Sequence, residues 1–476
     1  MLLLNPGERE QLWRSLIDTI ENHIETVTDL PVSPKLDVDR IRSLVEACDF
    51  RQPAAPSDAL RFAANGMREF QVHCPHPRYF GLFNPAPATM GIAADALVAA
   101  FNPNMAAWSH SPFANEIERH VILSFAKMFG YDPAAADGVF ASGGAEANHT
   151  ALLAALTQHF PKFREQGARS LAVQPVFYVS SEAHHSLQKA AGMCGIGTAA
   201  VHSIPADSKL RIDCTQLVDK IKRDRAAGLT PFMLVATAGT TNAGVVDPIA
   251  SLAEIALSEG LWLHLDAAWA GVAALLPEFE SLFAGASSAD SITFDAHKWL
   301  SAPMGAGVFL TRHREILAQT FGTPNQYMPR EAAGLPVEDN FGRSMQWSRR
   351  FIGLKVFLTL YEAGWDGIRE MLRHTIHMGA LLRQRLSESG WTILNDTPLP
   401  VVCFSDSTRR QGDSAEHLQA ILRKLLASGE AWISSTVLGG TQPALRACIT
   451  NYRTQPEDVE ALVTALDRAR KSRANE

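Results

Sequence analysis

The chain has 476 residues, 46% of them hydrophobic and 20% charged, with a formal net charge of -7. That length exceeds one compact core and implies two or three domains, and the composition excludes a disordered chain. Lys and Arg are spread without a nucleic-acid footprint, the six cysteines hold no CxxC pair and so argue against structural zinc or a disulfide framework, and no stretch nears the roughly 18 apolar residues of a membrane span.

The start, MLLLNPGERE, lacks the basic region and apolar run of a signal peptide, so a soluble cytoplasmic protein with no membrane or nucleic-acid partner is expected. From about Glu8 to Thr28, Leu12, Leu16, Ile17, Ile20 and Ile24 fall at helical spacing. A second helix is expected over Asp37–Cys48, before Pro53 and Pro56. Two helices this small cannot bury a core alone and must pack elsewhere or on a second subunit. From about Ala93 to Leu310, strands are expected at Val176–Val179, Phe232–Ala236, Leu261–Leu265, Ser291–Phe294 and Gly307–Leu310. Helices over Ala147–Gln158, His185–Met193, Cys214–Arg225 and Pro248–Ser258 alternate with them. The pattern predicts an α/β fold with a largely parallel sheet covered on both faces. Phe321–Arg343 shows neither period and is rich in Pro, Gly and Asn, as functional lids are. A helix near Arg349–Tyr361 leads to a smaller α+β domain. Its helices are expected at Ile368–Glu388, Ala415–Leu426 and Pro456–Ala469, and its strands at Val401–Phe404, Trp432–Val437 and Ala444–Ile449. The expected division is residues 1–85, an N-terminal helical segment; 86–367, a large domain; and 368–476, a small C-terminal domain.

Ligands of open α/β sheets sit at the carboxyl ends of the strands. Polar residues follow four strands there: Ser180, Ser181, Glu182 and His184; Gly239, Thr240, Thr241 and Asn242; Asp266; and Asp295, His297 and Lys298. Ser142-Gly143-Gly144-Ala145 enters a helix near Glu146, where backbone N–H groups can take a phosphate, though the same glycines also suit an ordinary capped turn. Lys298, just past an apolar strand, is costly to desolvate, which favours a neutral amine able to attack an aldehyde. Asp266 ends the apolar run LWLHLD and needs a cationic or hydrogen-bonding partner. A protonated pyridine nitrogen is one, and the pair reads as a site for pyridoxal 5'-phosphate. Ala268 is small enough for a flat ring to lie against it, and His184 is placed to stack on the other face. Alone, the His would be an ordinary loop residue and the Asp a helix cap or turn former.

The segments SEAHHSLQKAA, ATAGTTNAGVVDPI, WLHLDAAWAG, TFDAHKWL and SRRFIGLK together resemble the group II pyridoxal-phosphate-dependent amino-acid decarboxylases, from about Pro75 to Tyr361 and more weakly through both ends. The resemblance implies a type I aminotransferase-like fold, normally a homodimer with shared active sites, the N-terminal helices wrapping the partner. It implies Lys298 as the Schiff-base lysine, Asp266 as the pyridinium partner, His184 as the stacking histidine, and Gly144 and Ala145 as phosphate-loop positions. Thr241 corresponds to a ring-hydroxyl or ring-face contact, and His297 to the histidine beside the lysine. Asp295 stands where the family has Asn or Asp, and its charge speaks against direct phosphate contact. Tyr327, in TPNQYMPRE, matches a mobile-loop tyrosine that serves the partner's site and protonates the substrate α-carbon; relatives with phenylalanine there tend to release aldehydes.

Substrate-side positions resemble the family's HPRYFGLFNP element, namely His76, Tyr79, Phe80, Phe83 and Asn84, with Ala106 leaving room for a large ring and Trp108 adding an apolar wall. Decarboxylation of an aromatic amino acid is the expected reaction. Acidic amino acids or diaminobutyrate are alternatives, and Arg78 is the one basic residue nearby in sequence. Arg446, in ALRACI, matches a family arginine that could hold a carboxylate or make an internal salt bridge. An aminotransferase would not account for the Tyr327 loop or Ser348–Arg350. A cysteine desulfurase would need a cysteine in that loop, and a non-catalytic descendant would most simply have lost Lys298 or Asp266.

Overall fold

The computed structural model describes residues 2–324, 327–328, 331–406 and 415–471; of the expected loop Phe321–Arg343, residues 325–326 and 329–330 lie outside these. Seven strands build the large sheet: β1 (Asp137–Ala141), β2 (Pro175–Ser180), β3 (Val201–Ile204), β4 (Thr230–Thr237), β5 (Trp262–Asp266), β6 (Ser291–Asp295) and β7 (Gly307–Thr311). Their order is β1-β7-β6-β5-β4-β2-β3. The run from β3 to β6 is parallel, whereas β7 is antiparallel to both β6 and β1. The parallel strands are apolar because helices cover both faces, and two apolar clusters, one on Phe125, Phe294 and Trp299 and one on Leu152, Phe177 and Phe309, fill the space.

All five expected strands of this sheet are present. The sequence reading missed β1, five residues long after an alanine run, and β3, a four-residue edge strand that stays partly exposed. Among helices longer than six residues it also passed over three: α3 (Pro56–Phe70), α4 (Thr89–Phe101) and α5 (Pro112–Met128). They follow the two that were expected, α1 (Pro6–Thr26) and α2 (Val38–Glu46), and precede α6 (Gly144–His159). α1 is capped by Asn5 and Glu8 in a reciprocal pair of hydrogen bonds. Its apolar stripe finds no core within the chain, since no residue of α1 is buried.

The small sheet runs β10 (Ser434–Leu438), β11 (Gln442–Cys448), β9 (Val401–Asp406) and β8 (Trp391–Ile393), all antiparallel, with β8 unforeseen. One helix, Gly353–Glu388, joins the two sheets and breaks at Gly364, whose φ of 62° and ψ of 171° are non-helical. The two helices expected at Arg349–Tyr361 and Ile368–Glu388 are its two halves. Among the described residues no helix is long and apolar enough to cross a membrane.

Candidate active site

The strand ends converge as expected. A Cβ added to Gly144 would lie 2.8 Å from Asp295 Oδ2 and 3.3 Å from Ala268 Cβ, and one on Gly143 would lie 3.6 Å from His297 Cε1. The two glycines therefore bring the start of α6 against the ends of β5 and β6, as a cradle for a phosphate at a helix N-terminus requires. Ala145 follows in the first turn of α6, whose entry is held by Glu146, accepting from Ser142 N and Oγ at 2.9 and 2.7 Å.

Lys298 differs from its expectation. It is not stranded in an apolar pocket: its Nζ lies 2.9 Å from Asp295 Oδ2, and a quarter of its side chain is accessible. Asp295 is buried, and its second oxygen, Oδ1, has no hydrogen-bond partner among the described residues. His297 accepts at Nδ1 from Ala306 N at 3.1 Å, which leaves the proton on Nε2, 4.0 Å from Asp295. Burial holds the His297 imidazole below its ordinary range, although Asp295 opposes this.

Asp266 is buried and its carboxylate accepts from Asn148 Nδ2 at 2.9 Å and from Ala268 N at 3.2 Å. Asn148 belongs to a directional chain of hydrogen bonds. Trp262 Nε1 donates to Ser291 Oγ (2.8 Å), Ser291 to His264 Nδ1 (2.8 Å), and His264 Nε2 to Asn148 Oδ1 (3.0 Å), which also accepts from Thr293 (2.7 Å). Asn148 Nδ2 then donates to both Asp266 and Ser186 Oγ (2.9 Å), and Ser186 to His184 Nδ1 (2.9 Å). Trp262 can only donate and Asp266, as a carboxylate, can only accept, so every group between them has its orientation and tautomer set. Burial lowers the His184 imidazole and takes His264 down to about 4, keeping both neutral as the chain demands. Sequence reasoning missed Asn148, His264 and Ser186. The signal was there: an Asn within the alanine- and leucine-rich α6, and a His inside the apolar run of β5.

Thr241 lies in the turn after β4, closed by Gly244 N donating to Thr240 O at 2.9 Å. Phe83 stacks on Trp269, the residue after Ala268, with centroids 4.4 Å apart and planes at 13°. The Arg446 guanidinium lies 4.9 Å above Phe83. Arg446 makes no ion pair among the described residues; it donates to Ser434 Oγ at 3.0 Å, while its buried Nε and Nη2 have no partner. The internal salt bridge is thereby corrected. Arg78 pairs with Asp458 at 3.0 Å. Tyr79 bonds Asn84 at 3.0 Å and packs on Trp432, and His76, driven to about 4 by burial, accepts from Arg78 N at 2.9 Å. Phe80 points instead into the small-domain core, because neighbours in an extended segment face opposite ways.

Tyr327 is exposed and stacks on Trp347, which also packs on Phe341. Phe341 N donates to Ala106 O at 3.0 Å, Asp339 accepts from Trp108 N at 2.7 Å, and Arg343 bridges Asp137 and Glu338. Ala106 and Tyr327 thus belong to one unit, the returning arm of the long loop and the segment beneath it.

A cradle of glycines, a strand-end lysine and a buried carboxylate at the end of the neighbouring strand define a pyridoxal-phosphate enzyme. Residues 57–406 match the family described as the pyridoxal-dependent decarboxylase conserved domain, and the chain belongs to that family. It is 30% identical to the aromatic-L-amino-acid decarboxylase of Bacillus atrophaeus over 96% of this chain and 94% of that one. It is also 30% identical to the L-2,4-diaminobutyrate decarboxylase of Rhizobium meliloti (strain 1021), over 82% and 77%. The structure of Oryza sativa TDC with PLP and tryptamine shares the fold, with a TM-score of 0.92 at 24% identity, covering 99% of each chain. The protein is therefore a PLP-dependent carboxy-lyase acting on an amino acid.

Proposed function

We propose that the substrate is an aromatic L-amino acid, converted to its amine and carbon dioxide at a site that a second copy of the chain completes. The observation carrying this reading is the buried stack of Phe83 on Trp269, one residue beyond Ala268, which backs the site with aromatic rather than charged side chains. Arg78, committed to Asp458, is not free to recognise an acidic one. The aromatic-L-amino-acid decarboxylase among the relatives and the tryptamine bound to the rice protein agree with this.

Pyridoxal phosphate, when bound, supplies an electron sink for the pair left behind as the carboxylate departs. Lys298 would carry it covalently, with Asp295 orienting the amine. Gly144 and Ala145 would take the phosphate, Asp266 would hold the proton on the ring nitrogen, and His184 would lie on one ring face with Ala268 and Thr241 near the other. His297 stands beside the lysine. Tyr327 of the second copy would return a proton to the substrate α-carbon, and the Ala106 segment, tied to the same loop, would line that copy's neighbour.

The second copy is argued from unpaired apolar surface. Trp13 and Ile17 of α1 are each 56% exposed, Phe101 of α4 82% and Phe113 of α5 77%. An apolar cleft of about 880 Å³ also lies open between α1 and α3. Patches of this kind mark association surfaces. For the division at residues 85 and 367, the break at Gly364 supports the second boundary. A cytoplasmic setting accords with six free cysteines, two of them buried.

One observation favours a second reading. The unpartnered Nε and Nη2 of Arg446 fit a carboxylate. If that is the α-carboxylate, an aromatic substrate stands; if it is a side-chain carboxylate, the substrate is acidic. Purified, cofactor-loaded protein incubated with aromatic, acidic and basic L-amino acids, with products read by mass spectrometry, decides this. Amine from the aromatic group is expected. Amine from acidic substrates alone would replace the aromatic reading, and keto acid alone would remove the decarboxylase assignment. Lys298→Ala should abolish both turnover and the visible absorbance of lysine-bound cofactor.

A further inference from the structure

Glu182 follows β2 and stands two residues before His184, yet the reaction above does not use it. It is buried, at 4% exposure, and no cation pairs with it among the described residues. Both of its oxygens are taken by donors. Gly439 N, at the turn between β10 and β11, donates to Oε1 at 3.0 Å, and Asn242 Nδ2 donates to Oε2 at 3.2 Å. Asn242 Oδ1 in turn accepts from Thr436 Oγ1 of β10 at 2.9 Å, and turning the amide over would set that oxygen against the carboxylate. A carboxylate supplies two acceptors in this geometry; a glutamine would set its NH₂ against one of the two donors, or force Asn242 over and reverse the Thr436 hydrogen bond.

We propose that Glu182 is a positioning residue: its buried carboxylate latches the His184 loop and the loop after β4 to the β10–β11 hairpin of the small domain. That hairpin carries Arg446, paired in register with Ser434. The latch therefore sets the distance between the stacking histidine on one domain and the arginine over Phe83 on the other. Its catalytic consequence rests on the roles proposed above for His184 and Arg446, but the latch itself is a property of the folded chain.

The polarity of the latch supplies its own test. Glu182→Gln should weaken pyridoxal-phosphate binding and raise KM by about tenfold, the effect of one buried donor left unpaired. Amide exchange across residues 434–448 should rise with it. Asn242→Asp should also be damaging, because it sets two carboxylates face to face. The double variant Glu182→Gln/Asn242→Asp reverses the pair. The introduced amide donates to the introduced carboxylate and still accepts from Gly439 N, while that carboxylate still accepts from Thr436. It should restore both cofactor affinity and hairpin protection. Thr436→Val, which removes a single partly exposed donor, should show a smaller loss in the same direction and serves if Glu182→Gln does not fold. Wild-type exchange in Glu182→Gln would overturn the proposal, as would a folded double variant no better than the single ones. Hairpin exchange measured without cofactor separates failure of the latch from failure of the assigned chemistry.

Discussion

At the scale of single residues, the site depends on polar groups that can be arranged in only one way. Asn148 donates to both the Asp266 carboxylate and the serine that orients His184, so its loss undoes two positions at once. Asn148→Ala should lower pyridoxal-phosphate affinity and kcat each by about ten- to a hundredfold, as lost supporting hydrogen bonds do elsewhere, with little change in KM. His264 gives a pH prediction. Its folded-state value of about 4 lies below the ordinary 6.5, so the unfolded chain takes up the proton first as pH falls. The stabilisation is complete above about pH 6.5 and is lost on descending towards 4; for one such group it amounts to roughly 3 kcal/mol. Asp247, raised to about 6 by burial, acts in the opposite sense across part of that window. The informative quantity is thus the difference between wild type and His264→Gln: urea titrations at pH 7 and pH 5 should show a smaller acid loss in the variant. Lys298, Asp266 and His184 were legible because each ends or follows an apolar strand. Asn148 was not, since which polar residue of a helix meets the sheet is decided by packing.

At the scale of elements, the long loop is fastened at its returning arm and exposed at Tyr327. Arg343 holds that arm between Asp137 of β1 and Glu338, and Asn340 donates to Asn115 Oδ1 at 2.7 Å. Arg343→Ala should leave cofactor binding intact, lower kcat about tenfold, and speed proteolytic nicking of the loop, which limited digestion would detect. Tyr327→Phe acts at the tip and should shift product from amine towards aldehyde and ammonia, with dissolved dioxygen as the two-electron oxidant, read by mass spectrometry and by peroxide release. The loop was legible as an aperiodic stretch, and most strands as short apolar runs. β1 and β3 were not: β1 opens on Asp137-Gly138 and leaves only Val139, Phe140 and Ala141 as an apolar run, and β3 is a four-residue, partly exposed edge. Phe80 was misplaced because a motif names its residues without saying which side of the chain each faces.

At the scale of the whole molecule, α/β architecture and a second, smaller domain were legible from the alternation of periods, whereas the sheet order was not, because β1 pairs across the sequence with β7. The exposed apolar faces of α1, α4 and α5 predict that the protein is a dimer by light scattering. Phe101→Asp should give a folded monomer with decarboxylase activity lost, since the side chain is 82% exposed in the single chain and little of its own core depends on it. The pairing of β1 with β7 also bears on how the protein is made. β1 leaves the ribosome early, but among the described residues its only neighbour in the sheet is β7, so it must wait while residues 142–306 are synthesised. At cellular rates of about 5–20 residues per second that is on the order of ten to thirty seconds. The lysine segment after β6 is itself made only at the end of this interval, immediately before the strand that closes the sheet beside it. Cofactor capture is therefore a late event in the life of each chain, and nascent chains stalled before residue 307 should expose an open strand edge to chaperones.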